Sequence, residues 1–155
     1  MKVELRNVKH AAFASEETSC FEATVYIDGK KAGTVHNDGH GGPDMHDPFD
    51  LHAKLEAWAK TLPPYELGGE KHPHSAETAV GDLFDAWMLA RNLRRLTAKS
   101  VVYVGTDGKL YTVKPRDKAQ LPRAIVEVAK RPVVKCVLNT MPESEALVIF
   151  KQAAS

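Results

Sequence analysis

Phe21-Glu22-Ala23-Thr24-Val25-Tyr26-Ile27-Asp28-Gly29 is the stretch that decides the fold. Phe21, Ala23, Val25 and Ile27 alternate with more polar residues, which is the period of a strand with one face buried. Asp28-Gly29 then supplies a two-residue hairpin turn, because both central positions of that turn need positive φ. The chain returns through Ala32 to Val35. Residues 2–14 read as a further extended segment. The protein therefore begins as antiparallel β structure.

Downstream the period changes. Leu51, Leu55, Trp58 and Leu62 recur at helical spacing after Asp47-Pro48. Asp suits an N-cap and Pro the first helical position, so the helix is expected to start there. Pro63-Pro64 ends it, and a loop containing Gly68-Gly69 and His72-Pro73-His74 follows. Ser75 caps a longer helix reaching about Ala98, whose broad stripe from Val80 to Leu96 makes it the expected central core helix. Trp58 and Trp87 sit on these stripes and read as core.

A second hairpin is expected over 101–113, turning at Thr106-Asp107-Gly108-Lys109. A helix near Leu121 to Lys130 comes next, with Pro122 in its first turn. Val133 to Leu138 reads as the best buried strand. Thr140-Met141-Pro142-Glu143 has the form of a capping box before a last helix through Leu147 and Phe150. The order β-β-β-α-α-β-β-α-β-α predicts an α+β domain spanning 1–155, a mostly antiparallel sheet of about six strands with helices packed on one face.

A chain of 155 residues, 43% of them hydrophobic, can bury a core without staples. Two cysteines, Cys20 and Cys136, are too few for a disulfide framework and are expected to be reduced and buried. Neither matches a nucleophile pattern. The alternating, acid-bearing N-terminus is no secretory signal, and no apolar run reaches the ~20 residues of a membrane span. A cytoplasmic protein without membrane partners is the expectation.

The charge is divided. Residues 1–90 carry 8 Lys and Arg against 15 Asp and Glu, a balance of −7, while residues 91–155 carry 13 against 5, a balance of +8. Arg91, Arg94, Arg95 and Lys99 gather at the end of the long helix. Cations there complement the helix dipole, but four exceed that need. Twelve Lys and Arg against three acids between 91 and 135 suggest a phosphate-bearing partner, either a nucleotide or nucleic acid. Tyr103 and Tyr111 could stack on a base.

The densest chemistry lies in residues 36–52, with four His, four Asp, three Gly and two Pro. His36, Asp38, His40 and His46 could ligate a divalent metal that activates water for phosphodiester cleavage. Their spacing matches no metal motif, so a catalytic site and a cofactor are not the leading expectation. Asn37-Asp38-Gly39-His40-Gly41-Gly42 instead follows a strand and could form a backbone nest for an anion. The preferred reading is a non-catalytic binding protein. Its anionic ligand would meet Asn37, Asp38, Gly39, His40, Gly41 and Gly42 together with Arg91, Arg94, Arg95 and Lys99, within one protomer or across a homo-oligomer.

Two stretches also carry a resemblance. Gly33-Thr34-Val35-His36-Asn37-Asp38-Gly39-x-Gly41-Gly42, a following Leu-x-x-x-Leu, and Leu138-Asn139-x-x-Pro142-x-x-x-Ala146-Leu147 resemble small accessory proteins of phages and their hosts. The resemblance implies an anti-defence protein that sequesters or cleaves a nucleotide signal. Alternatively, it implies one that occupies a host factor such as a nuclease through a charged face.

Overall fold

A computed structural model describes residues 1–154. It is α+β, with every sheet antiparallel. The strands form sheets of four, two and three rather than one sheet of six. The chain divides into two compact units, Met1–Asp85 and Ala86–Ser155. Among the described residues no helix is long and apolar enough to cross a membrane.

In the first unit β1 (Val3–His10), β2 (Phe21–Ile27), β3 (Lys30–Asn37) and β4 (Met45–Asp47) lie in chain order. The Asp28-Gly29 turn forms as expected, with φ of +49° and +80°. Phe21, Ala23, Val25 and Val35 are buried on one face. Helix α1 (Leu51–Ala59) buries Leu51, Leu55 and Trp58. Leu51 comes so near β3 that a Cβ on Gly33 would stand 2.9 Å from its Cδ2. From α2 (Ala76–Thr97), Phe84 stacks on Phe21 with ring centroids 4.5 Å apart. The Ser75 hydroxyl accepts from the Thr78 amide at 3.2 Å, the expected cap.

The expected start of α1 is wrong. Met45–Asp47 pairs with Thr34–His36 as a fourth strand, and the helix begins at Leu51 with Asp50 in the cap position. Asp50 makes no capping bond and pairs with Lys54 at 3.0 Å instead. Pro48 has no N–H to extend the ladder, so it ends the strand rather than starting the helix. The loop expected over 63–74 is in part a hairpin, β5 (Tyr65–Leu67) and β6 (Glu70–His72). Gly68 and Gly69 take φ of +63° and +84°, the pair of values a two-residue hairpin turn requires.

In the second unit β7 (Val101–Gly105) is the central strand between β8 (Leu110–Val113) and β9 (Val134–Val137). All of β7 is buried, whereas β9 is an edge strand with Lys135 exposed. The most buried strand is thus the hairpin strand, not Val133 to Leu138. Adjacent β7 residues face opposite sides, and each side has its own core. Val102 packs with Leu93 of α2 and with Ala146 and Phe150 of α4 (Glu143–Ala154). Val101 and Tyr103 pack with Val128 of α3 (Leu121–Ala129). Helices therefore cover both faces of this sheet. The capping box does not form: Thr140 donates its hydroxyl to the Val137 carbonyl, and Glu143 holds Arg94.

Candidate functional site

The glycine-rich turn is organised by one buried amide. Asn37, 5% exposed, ends β3. Its Oδ1 accepts from the Thr18 hydroxyl at 2.6 Å and from the Gly39 amide at 2.9 Å. Its Nδ2 donates to the Gly42 carbonyl and to Asp44 Oδ1, both at 3.0 Å. Burial pushes the Asp44 carboxyl above its usual range, against the opposing effects of Asn37 and, more weakly, His36.

Gly39 is the second anchor. Its carbonyl accepts from the amides of Glu16, Glu17 and Thr18 at 3.1, 2.9 and 3.4 Å. At φ +84° a Cβ here would sit 2.1 Å from the Ala14 carbonyl oxygen. Glycine is required because two loops dock at this point. The Gly41 amide donates to the Thr18 hydroxyl at 3.3 Å, and His40 Nδ1 lies 3.3 Å from Glu16. Of the donors expected to form an anion nest, the Gly39 amide is thus taken by Asn37 and the Gly41 amide by Thr18. Gly42 is exposed, with open space where a side chain would go.

The expected metal ligands are not gathered. Among the described residues no three His, Cys, Asp or Glu side chains are placed to hold an ion. His46 opposes Val35 in β4, on the buried face, while His36 opposes Met45 on the other. The His46 ring lies 5.0 Å from that of His52, and its buried Nε2 has no hydrogen-bond partner. Burial, and then His52, hold its pKa below the usual histidine range. His40 is exposed at the loop tip.

What the first unit does build is a cleft of 490 Å³ where β1 ends, β2 begins and β3 ends. Lys9, Glu22 and His36 stand in one row across it, paired Lys9 to Glu22 and Glu22 to His36. Two β-bulges create this row. One lies between Arg6 and Lys9, where Asn7 takes φ +52°. The other leaves Ala32 of β3 without a partner. Bulges re-aim side chains in this way beside functional sites. His10, Cys20 and Asp38 complete the polar lining. His36, Asn37 and Asp38 are the three expected site residues that reach the cleft. Lys9, His10, Cys20 and Glu22 were not expected. Cys20 is half-buried and free rather than a buried core residue, as is Cys136.

The basic helix end belongs to the second unit. Arg94 makes two bonds to Glu143, one of 3.0 Å from Nε, which raise the guanidinium pKa and lower that of the carboxyl. The Arg91 guanidinium lies 5.3 Å from the Trp87 ring centroid, and Arg95 reaches Asn92. Lys99 is exposed beyond the helix. Behind it Asn139 accepts from the Val102 amide at 2.7 Å and donates to the Thr97 and Ser100 carbonyls, tying the helix end to β7. Tyr103 is buried and stacks on Tyr111, whose hydroxyl donates to Asp107. That pair packs on itself and leaves Tyr103 no face for a base. No protein-family model, curated protein or solved structure matches the chain.

Proposed function

We propose that this is a non-catalytic binding protein whose ligand seat is the cleft at the ends of β1, β2 and β3. The row of Lys9, Glu22 and His36, set by two bulges, carries the reading. Lys9 offers a cation to a phosphate or carboxylate. Glu22 and Asp38 accept hydrogen bonds from donor groups on the same ligand. A nucleoside monophosphate has both kinds of group, and 490 Å³ lies in the range of small-molecule sites. The glycine-rich turn is the scaffold that fixes Asn37 and Asp38 rather than the direct anion ligand. The resemblance to phage accessory proteins favours the same class of ligand, as a nucleotide signal held rather than cleaved.

A thermal-shift panel of AMP, GMP, CMP and UMP, with inorganic phosphate alongside, tests this. A ligand at 100 times its Kd adds ~2.7 kcal/mol, or about 5 °C or more for a protein of this size. Lys9→Glu, on an exposed strand position, is expected to abolish the shift. No shift from any nucleotide, or an equal shift in Lys9→Glu, overturns the reading.

A further inference from the structure

One end of the second unit carries five cations that the fold does not use. Val101 and Val113 form the outermost pair of β7 and β8. Lys99 and Lys114 both lie within two residues of that pair, beyond it. The chain continues through Pro115, Arg116 and a 3₁₀ turn (Lys118–Gln120) into α3. Arg123 in the first turn of α3 lines the same 270 Å³ hollow as Pro115, which brings it back to this end.

Lys99, Lys114, Arg116, Lys118 and Arg123 are all exposed. Among the described residues none of them forms an ion pair. The nearby carboxylates are engaged elsewhere. Asp117 accepts from the Ala119 amide at 3.0 Å, and Glu127 faces Lys130 at 3.9 Å. Arg94, by contrast, is neutralised by Glu143.

We infer that this end is a phosphate-backbone contact for double-stranded nucleic acid. Three properties select that partner. Protein interfaces centre on aromatic and apolar anchors and are depleted in Lys; no large exposed hydrophobic residue lies within 114–123. Membrane-surface binding likewise needs apolar side chains beside the cations. Single strands are held by stacking on aromatics, and residues 114–123 contain none. What remains is a polar, cationic surface suited to regularly spaced phosphates, read without regard to sequence.

The test is fluorescence anisotropy of the whole protein with a labelled DNA duplex of about 20 base pairs. Contact with three to five phosphates weakens binding about 40- to 500-fold between 50 and 200 mM salt. Arg116→Glu with Lys118→Glu is expected to lower the salt slope by about two. Lys109→Glu with Lys135→Glu makes the same change in net charge at the opposite end of the sheet, and is expected to leave the affinity within about twofold. Circular dichroism confirms that both variants fold. Several outcomes overturn the proposal: no binding at 50 mM salt, equal losses in the two double variants, or tighter binding to phosphatidylserine vesicles or to the single strand.

Discussion

The turn at 37–44 and the basic segment at 114–123 are both dense in polar and charged residues, yet the fold treats them in opposite ways. In the turn the groups that shape the backbone are partnered internally, while the Asp38 carboxylate stays exposed. Asn37 alone satisfies Thr18, Gly39, Gly42 and Asp44. In the basic segment Asp117 holds the Ala119 and Gln120 amides while the cationic heads are left in water. A cluster of reactive residue types thus marks a ligand site only if its groups remain unpartnered after folding. The first cluster is architecture beside a site, and the second is free surface.

Substitutions in the turn should sharpen the contrast, beginning with the largest effect. Gly39→Ala forces a Cβ against the Ala14 carbonyl at positive φ. About 3 kcal/mol or more of destabilisation is expected in urea denaturation. Gly42→Ala, three residues on, meets open space and should stay within about 0.5 kcal/mol of the parent. Equal costs at the two positions would break the claim that Gly39 is a docking point. Asn37→Ala removes four hydrogen bonds made by a buried side chain and should cost about 2–3 kcal/mol by the same measurement.

Asp44→Asn probes the turn through pH. A carboxyl raised above its usual range holds its proton in the folded state where the unfolded chain has already lost it. Stability therefore falls as pH rises from the ordinary carboxylate range through the raised value. Above that raised value the ionised, part-buried group detracts from stability, and Asp44→Asn keeps an acceptor for Asn37 without the charge. The variant should gain in urea midpoint over the parent as pH rises through that range, with the difference vanishing below the ordinary carboxylate range. The smallest effect belongs to the second unit. Arg94→Ala breaks a solvent-exposed pair and should shift the melting temperature by less than about 2 °C.

Much of the fold was legible in the sequence. Alternation from Phe21 to Ile27 with Asp28-Gly29 located the first hairpin, the helical stripes located α1 and α2, and Pro122 marked the first turn of α3. Three-residue strands were not legible: Met45–Asp47 and the strands around Gly68-Gly69 are too short to show a period. The candidate site was half legible. His36, Asn37 and Asp38 stood out by composition, but Lys9 and Glu22 join them across the cleft only through the register. An unbroken ladder from the Asp28-Gly29 turn would set Glu22 against Val35. The bulge at Ala32 moves it to His36, and the bulge near Asn7 does the same for Lys9. No residue type announces a one-residue slip of that kind.

In the proposed function the turn builds the cleft and the row across the strands holds the ligand. Calorimetric titration of AMP into Lys9→Glu and Gly42→Ala, side by side with the parent protein, tests it most directly. Gly42→Ala should bind as the parent does, and Lys9→Glu should show no heat of binding. Parent-like binding by Lys9→Glu with loss in Gly42→Ala would place the ligand on the turn itself and contradict the account.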